Sequence, residues 1–557
     1  MPHPVRLVAG LFACVAFLAV PALAHAQGGE NLTPQLAHTP EIAHVDYPGI
    51  QHRHYRYGPI PIQAGQNIIE INKSQVPKPK VDGWITRMQP NLTLVDGTVP
   101  PVDVIHLHHA VWLDQSHPGV ASGGNNAYAP FFAAGEEKTI FQFPKGYAMP
   151  YQASDNWILN YMIHNLTSRP TKVYITWDLD FIPDTAPAAK GLTEVHPLWM
   201  DVRSGEIYPV FDVHRGSGTD GSFTYPDQDP NAYPGGRQRN LFVVNHDMQL
   251  ITTGGHLHPG GLHDDLWLTR PGAQAISANA VAARCSGAKA KQAKAGKASA
   301  SKGSSKTVKQ ACARPAADGD TVHLFKSMAD YFEPAGAVSW DVALTGTSPD
   351  WRVQLHPGDQ LRITSTYDSA RSSWYESMGI MVVWYADKSG GPDPFVNKVD
   401  WPGEITHGHL PENDNHGGDN AGLPDPSALP DGPAFGADSS VTIDNFTYSQ
   451  GDLSASGPDG APPIVKQGTP LTFTDNEGPP AYHTITACKQ PCNRTTGVAY
   501  PLADGPVDFD SGELGGNGFP PSNGQKSWST PENLPPGTYT YFCRIHPFMR
   551  GSFRVVS

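Results

Sequence analysis

Apolar and polar positions alternate in short runs along most of the chain, and the runs are closed by Gly, Pro and Asp. Val173-Tyr-Ile-Thr-Trp-Asp-Leu-Asp180 and Ile380-Met-Val-Val-Trp-Tyr385 show the pattern. A period of two with β-branched and aromatic enrichment predicts strands. The 56 Gly and 54 Pro, about a fifth of the 557 residues, oppose long helices and suit many turns. An all-β chain of this length exceeds one core and predicts several sandwich-like units. Turn-rich Pro183 to Lys190 marks a boundary, giving a first β-sandwich over 40–190 and a second over 191–395. The Pro-, Gly-, Asp- and Asn-rich stretch 396–435 reads as a linker, and 436–557 as a third unit.

Two segments stand outside this pattern. Arg6, the apolar run Leu7–Ala24 and the small-x-small triplet Ala24-His25-Ala26 form a signal peptide over 1–26. The mature chain is then expected to be exported, periplasmic or extracellular, with no membrane span. Residues 286–310 carry seven Lys among Ala, Ser and Gly and read as a disordered basic insert.

Charge and cysteine usage narrow the function. The net charge of −14 argues against nucleic-acid binding. Of six Cys, Cys14 leaves with the signal. Cys285 and Cys312 flank the insert, Cys488 and Cys492 lie four apart, and both pairs can close as disulfides in an oxidising compartment. Cys543 is left over, and a metal ligand is a reason for an odd exported thiol.

The surroundings of Cys543 support that. Blue copper needs two imidazoles and a thiolate in a plane, with a weak axial thioether. Tyr539-Thr-Tyr-Phe-Cys543-Arg-Ile-His546-Pro-Phe-Met549 places three such ligands in one short loop, and His483 in Ala481-Tyr-His-Thr-Ile485 is the fourth. These residues resemble the cupredoxin family, the loop being most similar to that of amicyanin. The resemblance covers about 120 residues. It implies a Greek-key sandwich holding one type 1 copper on His483, Cys543, His546 and Met549. It also implies outer-sphere electron transfer through the His546 edge, with an external donor or acceptor protein or a small reductant as partner.

The 24 His cluster elsewhere too. Ile105-His106-Leu-His108-His109, Met162-Ile-His164, Gly254-Gly-His256-Leu-His258-Pro-Gly260 and Glu376-Ser-Met378-Gly379 follow in order. On a strand, His256 and His258 share a face, and a thioether from Met378 would complete an N,N,S set that suits copper. This order resembles the copper type II ascorbate-dependent monooxygenases, the peptidylglycine and dopamine hydroxylase family, over about 350 residues. That resemblance implies two jelly-roll-like subdomains with up to two further copper ions. An electron-transferring one would sit on His108, His109 and His164. A catalytic, oxygen-activating one would sit on His256, His258 and Met378.

The chain departs from that family. Strand alternation pairs His106 with His108 rather than His108 with His109, so the first site stands open between His106 and His109. The first subdomain has no Cys. Gly254 and Val382 stand where the peptide-amidating enzymes carry an Arg and a Tyr, which argues against a peptide-glycine substrate. His407, His409 and His416 in the linker offer either a further metal site or a polar loop on a neighbouring domain.

The functional expectation is an exported copper protein in which a blue copper feeds an oxygenase site that hydroxylates a C–H bond. The alternative is an electron carrier or copper-handling protein without that activity. A laccase-like oxidase is disfavoured, because Phe542 and Arg544, not histidines, flank Cys543.

Overall fold

The computed structural model describes residues 44–557 apart from 67–68, 73–75, 101, 103, 122–123, 127, 168, 204–208, 233–239, 273–316, 319, 332–341, 398, 400–402, 406–424, 454–459, 478–480, 489–506, 516–523 and 547. The expected signal peptide, the expected basic insert, the three linker histidines, Cys285, Cys312 and Cys492 lie outside the described residues. What is described is all-β, with strands joined by turns and short 3-10 segments. None of its helices is long and apolar enough to cross a membrane.

The first half runs through β1 (Gln51–Ile62), β2 (Ile69–Asn72), β3 (Gly83–Leu94), β4 (Ile105–Asp114), β5 (Gly119–Ala121), β6 (Gly124–Asn126), β7 (Ala129–Gly135), β8 (Phe141–Gln142), β9 (Tyr147–Tyr151), β10 (Trp157–Asn165), β11 (Thr171–Pro183), β12 (Thr193–Glu194) and β13 (His196–Asp201). One sheet has the order β1-β11-β3-β9-β12, and the facing one β2-β10-β4-β7. The alternation seen in sequence sets the core: Val173, Ile175, Trp177, Leu179 and Phe181 of β11 are fully buried on one face. They meet Ala110 and Trp112 of β4 and Leu159 of β10 from the other sheet.

The second block is a 14-stranded sheet that includes Gly261–Thr269, Thr321–Tyr331, Val342–Thr347, Met248–Leu257, Gly379–Ala386 and β13. β5 and β6, although early in the chain, extend this sheet beside β13. Gly379–Ala386 lies between Met248–Leu257 and β13 and is buried almost throughout, as an unbroken apolar run should be.

The C-terminal unit has a five-stranded sheet, ordered Ala434–Phe435, Ile464–Lys466, Arg550–Val556, Gly537–Phe542 and Thr486–Ala487. A four-stranded sheet built on Ser440–Asp444 and Thr472–Asp475 accompanies it. Phe473, Tyr541, Phe553 and Val441 fill the core. This core is continuous with that of the second block.

Trp384 joins the first two units. Its ring lies 4.8 Å from both Phe141 and Phe143 and is 2% exposed. Trp384→Ala is expected to lower stability by roughly 3–5 kcal/mol through lost burial and an unfilled cavity. A denaturant midpoint shift with unchanged slope checks it.

Candidate metal centres

The strand Gly537–Phe542 delivers Cys543 to its end, where the chain turns. The Cys543 amide donates to the Met549 carbonyl (3.0 Å) and the Met549 amide to the His546 carbonyl (2.8 Å), closing the loop on itself. Pro547 lies outside the described residues. His483 arrives from the short strand Tyr482–His483, paired with Leu514–Gly515.

The three ligating atoms face one another. Cys543 Sγ is 3.6 Å from His546 Nδ1 and 3.9 Å from His483 Nδ1, and the two nitrogens are 3.3 Å apart. A point equidistant from all three lies about 2.1 Å from each, the length of a first-row metal–imidazole bond. The donor set therefore fits a metal ion, and two imidazoles with a thiolate fit copper. Met549 is fully buried at the foot of the loop. Two amides, of Thr484 and His546, donate to the sulfur at 3.3 Å each and so stabilise thiolate charge.

Outer partners fix the rings. Glu477 Oε2 stands 3.2 Å from His483 Nε2. Burial pushes the Glu477 carboxyl up, but its bond to His483 outweighs that and holds it below the usual range. The Phe446 ring lies 4.9 Å from that of His546 and covers it. Neither Glu477 nor Phe446 carries a motif, so only the fold reveals them.

The upstream histidines gather directly beside this loop. In the pairing of β4 with β10, Met162 is opposite His109, Ile163 opposite Leu107 and His164 opposite His106. His108 is thus the extra residue of a β-bulge. Bulges re-aim side chains next to functional sites. Here Met162 and His164, two apart on β10, bring His106 and His109 to the same face. The choice between His106 and His109 posed by simple alternation therefore gives way to a group containing both. Ring centroids lie 5.1 Å apart for His106–His164, 6.0 Å for His108–His164 and 5.9 Å for His108–His109.

Met248–Leu257 and the turn after it supply the opposite wall. His258 lies 4.2 Å from His108 and 5.2 Å from His256. Two cavities of about 30 Å³ result. His108, His164 and His258 line one together with Arg544 and Ile545 of the Cys543 loop. His109, His256 and Met378 line the other. Each cavity thus takes residues from both sandwiches, a grouping that chain order does not convey. Among the described residues, three ligating atoms within 4.8 Å of one another occur at His483, Cys543 and His546, at His44, His52 and Asp180, and at Asp114, His117 and Asp155, and not among the upstream cluster of His106, His108, His109, His164, His256 and His258.

Their second nitrogens are held as in metal sites, where an imidazole donates one N–H to a carbonyl or carboxylate and offers the other. His106 Nδ1 bonds the Val102 carbonyl (2.6 Å), His258 Nδ1 the Glu376 carbonyl (2.5 Å) and His256 Nδ1 the Glu137 carboxylate (3.1 Å). Nε2 of His256 and of His258 is buried with no hydrogen-bond partner among the described residues. Tyr367 pins two candidates at once: its hydroxyl accepts from the His258 and Met378 amides and donates to the Met378 carbonyl. Glu137 sits in Gly135-Glu-Glu-Lys138, a charged triplet at the end of an apolar strand. That break in the pattern was the available signal for it.

Burial, reinforced by neighbouring rings, holds His106, His109, His164 and His258 well below the ordinary imidazole range and brings His108 to about 4. All five are neutral at pH 7, the form that ligates metal.

No family model matches the chain, and no curated protein matches it. Among solved structures, the Cu(I) form of an amicyanin mutant aligns with 24% of this chain and 91% of its own at 22% identity, with a TM-score of 0.12. A copper-containing nitrite reductase from Thermus scotoductus aligns with 39% of this chain and 49% of its own at 14% identity, with a TM-score of 0.14. The chain thus spans about half the length of the second structure.

Two outcomes test the site. Cys543→Ser is expected to abolish the blue absorption of the copper-loaded protein while far-ultraviolet circular dichroism stays unchanged. The pH dependence is fixed in sign: a histidine with a depressed folded value binds its proton in the unfolded chain first. Metal-free protein should therefore lose stability as pH falls from about 6.5 towards about 4, the His108 value. Thermal midpoints at intervals between pH 7.5 and 4.5 read this directly.

Proposed function

We propose that the chain is a copper redox protein in which the C-terminal unit is an electron port for the histidine cluster of the upstream block. The port is the type 1 copper set His483, Cys543 and His546 with Met549 as the axial ligand. The observation that carries the reading is the approach of the His546 ring to that of His164, edge to face with centroids 6.1 Å apart. His164 lines the same cavity as His108 and His258, so the outer ligand of one set touches the wall of the next.

Copper at these positions supplies one-electron chemistry, and the chain supplies position and environment. Arg544 follows Cys543 directly and holds the loop on the block. Its guanidinium lies over the Trp374 ring at 4.2 Å and bonds Ser372, and Asp510 stands 3.5 Å away. Two amide hydrogen bonds to Sγ favour the reduced thiolate state and tune its potential. His108, His164 and His258 stay neutral and dry, and their cavity admits a species no larger than water or dioxygen. An external donor protein or small reductant supplies the electrons.

A second reading extends the first. His109, His256 and Met378 line one cavity, an N,N,S set that suits copper and the hydroxylation of a C–H bond. At about 30 Å³, that cavity holds a small oxidant but no organic substrate, so this activity requires it to open.

Copper analysis with electron paramagnetic resonance tests the port. More than one copper per chain, one of them blue, is expected. His164→Ala should keep the blue signal, lose upstream copper and slow reoxidation of the reduced blue centre by roughly tenfold or more. A single blue copper with unchanged reoxidation in His164→Ala would leave only the electron carrier. Oxygen uptake with a reductant that survives His256→Ala would remove the oxygenase reading.

A further inference from the structure

A cavity of about 370 Å³ lies at the other end of β4 and β10, away from the histidine cluster. It opens where the first sandwich meets the edge of the second sheet. Asp114 closes β4, Trp157 begins β10, and Val120 of β5 and Tyr385 form the facing wall. This volume falls in the range of small-ligand sites, and a joint between units is where such sites occur.

Its chemistry is anionic and aromatic. Asp114 is satisfied: Oδ1 accepts from the Ser116 amide (2.8 Å) and Oδ2 from His117 Nδ1 (2.5 Å). Asp155 is not. Its Oδ2 accepts from the Gln152 amide (2.8 Å), while Oδ1 is buried with no hydrogen-bond partner among the described residues, and His117 Nδ1 stands 3.8 Å off. The Asp155 side chain is only 6% exposed. A buried carboxylate oxygen without a donor is costly unless something fills the role. Glu194 and His196 also line the cavity, and Lys78 stands at its margin with Nζ 3.3 Å from the Tyr151 hydroxyl, so Asp114, Asp155 and Glu194 face His117, His196 and Lys78 and the charge is balanced only with both histidines protonated. The Phe131, Tyr151 and Trp157 rings pack on one another beside them, with centroids 4.8 and 5.4 Å from that of Trp157.

We propose that this cavity binds a small organic ammonium ion, whose N–H donates to Asp155 Oδ1 while its hydrocarbon part lies against the aromatic wall. Aromatic faces attract cations, and carboxylates pair with them most strongly out of bulk water. A bare metal ion fits less well. Two ligand atoms on one ion stand about 3.3 Å apart, whereas Asp114 and His117 are already joined at 2.5 Å. The volume also far exceeds an ion.

Calorimetric titration of the copper-loaded full chain with cyclohexylammonium, and with neutral cyclohexanol of the same shape, tests this. Ammonium binding at about 1 mM or tighter is expected, with cyclohexanol at least roughly tenfold weaker. Asp155→Asn should weaken the ammonium by roughly tenfold or more and leave the blue absorption intact. Val120→Phe, which fills the cavity without touching charge, should abolish binding and decides the matter should Asp155→Asn fail to fold. Equal affinity for both probes, no binding of either, or ammonium binding indifferent to both variants overturns the proposal. So does Asp155-dependent binding of zinc that ammonium cannot displace.

Discussion

Among the described residues eight histidine rings are buried, at His106, His108, His109, His164, His256, His258, His483 and His546, and most touch one another. Water cannot solvate a charge there, and adjacent imidazolium ions would repel. Burial holds His106, His108, His109, His164, His258 and His546 towards the neutral form, and much of the surrounding structure follows from that. Carbonyls and carboxylates take the N–H of His106, His256 and His258. Around these rings the first sandwich and the 14-stranded sheet close tightly enough to leave cavities of only about 30 Å³. The C-terminal loop covers what would otherwise be an open face.

The same constraint explains why the units are joined rather than merely linked. Arg544 is buried between Trp374, Ser372 and Asp510, and Tyr375 bonds Asp510 at 3.0 Å. Phe446, beside His546, fills the space over Gly65 of the first sandwich, where a Cβ would meet its ring at 2.5 Å. Gly65 has a φ of +61°, a conformation glycine adopts without strain. These contacts hold the thiolate loop in one orientation towards His164.

Strand content was legible because burial on one face imposes a period of two. Val173 to Phe181 display it, and the structure extends that strand only to Thr171 and Pro183. The Cys543 loop was legible because Cys543, His546 and Met549 are close in sequence, while His483 reaches it from another strand. Its outer shell was not, since Glu477, Phe446 and the Thr484 amide come from elsewhere in the unit. The upstream histidines were legible as residues but not as a grouping. Chain order suggests one set per sandwich, whereas His108 lies nearer His258 than His109.

The sequence by itself determined the all-β architecture and singled out Cys543, His546 and Met549 in one short loop, because alternation and short-range spacing are local properties. Tertiary structure decided the rest. A single bulge at His108, invisible to alternation, put His106 and His109 on the face of His164. The closing of two sandwiches and a loop then brought His108, His164, His258 and His546 together. Contacts across more than a hundred residues depend on how whole sheets pack, and no spacing within one segment encodes that.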